Sequence, residues 1–143
     1  MKALFLPLIF LFFLNAAKAQ CYDYQSSMQD LQTTLSESLK KMKKALKVDD
    51  YPKAQSLLDE VIVACENIQF SATEAKRFAE ECSCPEGALY ATSIYDSVFD
   101  AAELIKKAVD SGSFSQAVPL IEKAIETVCI TTTTVNDGLV ACP

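Results

Sequence analysis

The chain has 143 residues, half of them hydrophobic, with 13 basic side chains against 19 acidic ones and no histidine. That length holds one ordinary core rather than two. The acidic balance and the single arginine, Arg77, argue against nucleic acid or an anionic membrane as partner, and the lack of histidine excludes His-based acid–base and nucleophilic catalysis.

The N-terminus reads as a signal peptide over residues 1–19. Lys2 gives a positive start, Ala3 to Leu14 is apolar, and Ala17-Lys18-Ala19 has the small-x-small form that signal peptidase accepts. The apolar run is too short for a helix across a bilayer of roughly 30 Å. Cleavage after Ala19 leaves a mature domain, 20–143, that begins with Gln20 and is more acidic still, because the leader holds lysines and no carboxylate.

The first helix of the mature domain is marked by Tyr24, Met28, Leu31, Leu35, Leu39, Met42 and Leu46, one apolar stripe at three- and four-residue steps. Lys40, Lys41, Lys43, Lys44 and Lys47 cluster at its end, where they complement the helix dipole; the cluster reads as a solvated helix end rather than a binding patch. Val48-Asp49-Asp50-Tyr51-Pro52 is a turn, with Asp50 as N-cap and Pro52 in the first turn of the next helix. The return stripe is Ala54, Leu57, Leu58, Val61, Ile62, Cys65 and Ile68, followed by a shorter helical segment over residues 71–81. A second long helix pair follows: Ile94, Val98, Ala101, Ile105 and Ala108, the turn Asp110-Ser111-Gly112-Ser113-Phe114, then Ala117, Leu120, Ile121, Ala124, Ile125 and Val128. Pro119 suits only a first-turn position, and Asn136-Asp137-Gly138 predicts a short or frayed last segment near Thr134 to Ala141. Gly87, Gly112 and Gly138 all sit at turn-like places.

The two pairs are copies. A shift of 63 residues lays Cys21 on Cys84, Lys43-Lys44-Ala45-Leu46 on Lys106-Lys107-Ala108-Val109, Tyr51 on Phe114, and Leu57-Leu58 on Leu120-Ile121. Cys65 meets Cys129 with a slip of one residue and Cys82 meets Cys142 with a slip of three. The expected fold is therefore all-α: a disulfide-stapled antiparallel four-helix bundle of two tandem helical-hairpin repeats, about 21–82 and 84–142.

Six cysteines in an exported chain predict three disulfides, and the spacing does not suit zinc, so no metal or cofactor is expected. If each half is one unit, the simplest scheme is Cys21–Cys65 and Cys84–Cys129, with Cys82–Cys142 as a clasp between the halves. A second scheme that respects the repeat is Cys65–Cys82, Cys129–Cys142 and Cys21–Cys84. The acidic pairs Asp49-Asp50, Asp59-Glu60 and Glu80-Glu81 point about 100° apart on a helix, so they form no convergent acid–base dyad. The chain is not expected to be an enzyme.

Binding remains. The turn residues Tyr51, Pro52 and Lys53 combine an aromatic, a rigid proline and a charge in a tip fit to enter a cleft. The competing role for Tyr51, shared with Phe114, is to fold back and cap the core, and the repeat favours it for the ring. An alternative function is an extracellular carrier of small apolar ligands in a bundle cavity lined by Phe70, Phe78, Tyr90, Tyr95 and Phe99. No Asn-x-Ser/Thr site occurs.

The stretch from Leu89-Tyr90 through Ile94-Tyr95-Asp96, Ala101-Ala102, Ile105, Asp110-Ser111-Gly112-Ser113-Phe114, Ala117, Ile121 and Ala124-Ile125 to Cys129 resembles the second helical hairpin of the plant invertase/pectin methylesterase inhibitors. Ala45-Leu46-Lys47, Asp50-Tyr51, Ala54, Leu57-Leu58 and Cys65-Glu66-Asn67-Ile68-Gln69-Phe70 repeat the pattern. The resemblance implies a secreted, disulfide-bonded helical bundle of the apoplast or cell wall that docks stoichiometrically on a carbohydrate enzyme, pectin methylesterase or invertase. It also implies a Pro-Lys-Phe tip, of which Pro52 and Lys53 match two residues and Ala54 stands in place of the third.

Overall fold

A computed structural model describes the backbone of residues 5–142 and the side chains of residues 21–142. Among these residues there are four helices: α1 (Phe5–Ala45), α2 (Tyr51–Glu81), α3 (Pro85–Val109) and α4 (Phe114–Ala141). The leader expected over residues 1–19 lies outside the described residues, apart from the backbone of α1 from Phe5 on. Among the described residues, no helix is long and apolar enough to cross a membrane.

Each helix buries one seam. On α1 it runs Tyr24, Met28, Leu31, Leu35, Ser38, Met42, Ala45; on α2, Ala54, Leu58, Val61, Cys65, Ile68, Ala72, Ala75, Ala79. On α3 and α4 the same alternation of three and four resumes from Gly87 and Ala117. This is a repeat of 3.5 residues per turn, the spacing of knobs-into-holes packing between antiparallel helices. Helices adjacent in sequence pack against each other, and α1 closes the ring on α4 through a thinner contact. Ser38 and Thr131 enter the seam because their hydroxyls donate to the Thr34 and Thr127 carbonyls of their own helices, at 2.9 and 2.8 Å.

The repeat is carried by the seam itself. A shift of 63 residues, which is nine heptads, moves every buried position among the described side chains of α1 and α2 onto a buried position of α3, of α4 or, at Cys142, of the residue just after α4. The all-α bundle of two hairpins stands. Several finer expectations do not. Residues 71–81 are no separate segment but the second half of the 31-residue α2. Residues 134–141 likewise continue the 28-residue α4, whose buried seam extends through Val135 and Gly138 to Cys142. Pro119 lies beyond the first turn of α4, on its exposed face, where its missing N–H leaves the Ser115 carbonyl without a helical partner.

The glycines need the same correction. Gly112 sits in a turn with φ of 75°, but Gly87 and Gly138 are buried inside helices. A Cβ on Gly87 would collide with Cys142 Sγ and lie 3.0 Å from the Tyr24 ring; one on Gly138 would collide with the Met28 methyl and lie 3.1 Å from the Tyr24 hydroxyl. Tyr24 thus crosses the bundle over two glycines and donates a 2.9 Å hydrogen bond to the Gly138 carbonyl. At the opposite end the seam residues Ala45, Ala54, Ala108 and Ala117 are all alanine.

The disulfides are Cys21–Cys82 and Cys84–Cys142, with Cα separations of 5.4 and 5.9 Å, and Cys65 and Cys129 are free. Neither pairing scheme read from the sequence is present. Because α2 runs on to Glu81, the open end of its hairpin is Cys82; Cys65 lies about 25 Å back along the helix at 1.5 Å per residue, out of reach of Cys21. Both bridges are equivalent under the repeat, each closing its own hairpin. The slip of one residue at Cys129 is decisive: Val128 takes the seam position equivalent to Cys65, and Cys129 turns outward.

Cys82-Ser83-Cys84 joins the hairpins. Ser83 has φ of 61°, and the amides of Ser83 and Cys84 donate to Glu80 and Ala79 carbonyls at 3.1 and 2.8 Å. This is a Schellman ending for α2, with serine in the left-handed position that glycine commonly fills.

Candidate functional site

Antiparallel hairpins bring the two turns, residues 46–50 and 110–113, to one end of the bundle. The tip residues Tyr51, Pro52 and Lys53 open α2 at that end, and they divide into two roles. Tyr51 is half-buried. Its hydroxyl donates to the Ala108 and Val109 carbonyls at 2.8 and 2.9 Å and lies 3.1 Å from Ser111 Oγ. Its ring meets its repeat mate Phe114 edge to face, with centroids 6.5 Å apart. Tyr51 is therefore a latch between the hairpins, the capping role that the repeat favours.

Gln55 completes the latch, donating at 2.9 Å to the Val109 carbonyl one turn further along α2. These bonds answer a need of α3, whose last carbonyls have no partner within the helix. The Ser111 hydroxyl adds a second donor to the Ala108 carbonyl at 2.8 Å and lies 3.1 Å from the Ser113 carbonyl at the start of α4. Neither Gln55 nor Ser111 stood out in the sequence; the signal that points to them is a helix ending at Val109 with no αL residue directly after it.

Pro52 and Lys53 face solvent. The Lys53 side chain is 74% exposed and makes a 3.6 Å ion pair with Asp50. Asp50 occupies the N-cap position of α2, yet its side chain caps nothing; its backbone carbonyl accepts from the Ala54 amide at 3.1 Å. Exposed pairs of this kind contribute roughly 0–1 kcal/mol, so the Lys53 ammonium is free to exchange partners at little cost. The tip is thus a platform fixed through Tyr51, with an exposed and weakly paired cation on it.

The lysine cluster is a helix end, as expected. Lys43 and Lys44 lie in the last turn of α1, and Lys41 pairs with Glu60 of α2 at 2.8 Å, which holds the Glu60 carboxyl below its usual range. Arg77 is taken up by Glu74 and Glu81 at 2.9 and 2.7 Å.

The aromatics proposed to line an internal cavity do not converge. Phe70 is 71% exposed, Phe99 49% and Tyr95 40%, while Phe78 and Tyr90 are half-buried beside the core. Cys65 is buried in the seam of α2, and burial, reinforced by Glu66, pushes its thiol up to about 11. It is held as the neutral thiol, a poor nucleophile.

No family of known proteins, no curated protein and no solved structure matches the chain.

Proposed function

We propose that the protein is a secreted docking protein that uses the turn end of its bundle to bind and inhibit a cell-wall carbohydrate enzyme, pectin methylesterase or invertase, one to one. The observation that carries the docking mode is the latched tip: Tyr51 is fixed by hydrogen bonds to the other hairpin while Pro52 and Lys53 stand exposed beside it. A surface that is already ordered loses little conformational entropy on binding, and a lysine with a weak partner can trade Asp50 for a carboxylate of the target. The enzyme class rests on the resemblance of both hairpins to the plant inhibitors. Export rests on the leader sequence and on the two disulfides, which form and persist in oxidising compartments.

The test is a titration of purified protein into pectin methylesterase and invertase at matched pH. A saturable loss of activity with one-to-one stoichiometry is expected from one of them. Lys53→Ala and Pro52→Ala should each weaken the inhibition about tenfold or more while leaving the melting temperature in place. Full activity of both enzymes at micromolar excess would overturn the reading.

A further inference from the structure

We infer that the groove between α2 and α3 is a second binding site, for a small amphiphile that carries one carboxylate on an aromatic body. The groove holds about 210 Å3 and is lined by Ala72, Thr73 and Lys76 of α2 and by Ala91, Thr92 and Tyr95 of α3. It exists because the seam is thin there: Ala72 and Ala91 are buried core residues with only a methyl group to offer, so the helices leave a trough above them. Its volume is below the roughly 300–1,000 Å3 typical of sites for drug-sized ligands, which sets the occupant at about the size of a phenyl ring with a short tail.

The chemistry of the walls selects the charge. Both threonine hydroxyls are committed as donors within their own helices, Thr73 to the Gln69 carbonyl at 3.0 Å and Thr92 to the Ala88 carbonyl at 2.9 Å. That leaves them little donor capacity for an occupant of the trough. Lys76, by contrast, has no ion-pair partner among the described residues, although Arg77 next to it has two. The groove therefore has an unmatched cation at its rim.

Tyr95 supplies the remaining wall. Its ring is 40% exposed at the groove and Phe99 follows one turn on, so a flat apolar body has an aromatic face to rest on. An apolar floor, an aromatic wall and an unpaired lysine fit an aryl carboxylate. They do not fit a cation, and a neutral analogue can offer Lys76 only an uncharged acceptor.

The test uses 4-phenylbutyrate, with 4-phenylbutanol and 4-phenylbutylamine as neutral and cationic analogues, titrated into the purified protein with both bridges intact. Amide shifts are followed by two-dimensional NMR. The acid is expected to give saturable shifts centred on Thr73, Lys76, Thr92 and Tyr95. The alcohol should bind about tenfold or more weakly, the loss of one charge-assisted hydrogen bond, and the amine more weakly still. Lys76→Gln should erase the preference for the acid, and Thr73→Trp, which fills the trough from its exposed rim, should abolish the shifts while the rest of the spectrum reports an intact fold. Shifts that map elsewhere, equal binding of acid and alcohol, an unchanged affinity in Lys76→Gln, or no saturation at a Kd tighter than about 1 mM would overturn the proposal.

Discussion

The two ends of the bundle solve the same problem with different means. Each places a tyrosine where two hairpins must be held together, and each tyrosine donates its hydroxyl to a backbone carbonyl of the other hairpin. At the disulfide end, Tyr24 is fully buried, seated over Gly87 and Gly138 and flanked by two covalent bridges. At the turn end, Tyr51 is half-buried, the seam beneath it is alanine, and only hydrogen bonds and the edge of Phe114 hold it. The difference separates rigidity from exposure: the end locked by covalent bonds and close packing has little to present, and the end held by surface bonds carries the exposed Pro52 and Lys53.

The contrast can be broken most severely at the bridges. Replacing both cysteines of one pair, Cys21→Ala with Cys82→Ala, opens a 61-residue loop and should cost about 4 kcal/mol on the chain-entropy view. Denaturant unfolding measures it, and the Cys84–Cys142 pair should give nearly the same value because its loop spans 58 residues. The next effect is on pH dependence. Burial, with Tyr90 and Glu86 adding to it, pushes the Tyr24 hydroxyl up to about 12 from its ordinary 10. The folded state therefore holds this proton more tightly than the unfolded chain does. The stability it contributes is intact below pH 10 and is lost as pH rises from 10 through 12, amounting to about 2–3 kcal/mol. Tyr24→Phe should remove that alkaline loss in rapid unfolding measurements.

Smaller changes sharpen the comparison. Gly87→Ala should cost about 1–3 kcal/mol, because the new methyl meets a sulfur fixed by its bridge. Gly138→Ala should cost less, since the Met28 methyl it meets ends a flexible side chain and alanine favours the helix by about 1 kcal/mol. Tyr51→Phe removes the latch bonds and should cost about 1 kcal/mol in thermal unfolding while weakening inhibition more than that figure alone implies. Ser83→Gly should gain about 0.5–1 kcal/mol, because glycine adopts the left-handed conformation freely.

Much of this fold is legible in the sequence because its register is. The alternation of three and four and the 63-residue shift locate both hairpins and both turns, and they pair Tyr51 with Phe114 before any contact is seen. What escapes is where the helices stop. Seam residues such as Ala72, Ala75 and Ala79 are too small to stand out as a stripe, so the second half of α2 looks like a separate segment. Asn136-Asp137-Gly138 looks like a helix end, and only the ring of Tyr24 across the bundle explains a glycine there. The disulfide pairing fails for the same reason, since it depends on which cysteine stands at the hairpin mouth. At the tip, composition points to Tyr51, Pro52 and Lys53 alike; only the carbonyl partners of Tyr51 separate the anchor from the two residues left exposed.

The link through Ser83 has a consequence for resistance to proteolysis. Cys82 and Cys84 belong to different bridges and are separated by that one residue. A protease that cut both turns at the turn end would produce three fragments, and the middle one would still carry both sulfurs. All three would stay joined as one molecule, with every helix intact. Only a cut at Ser83 itself, held in a tight turn between two bridges, would part the hairpins. Nicking of the exposed tip would then be silent by size until a reductant is added, and the nicked protein would keep its core while the geometry of its tip is lost.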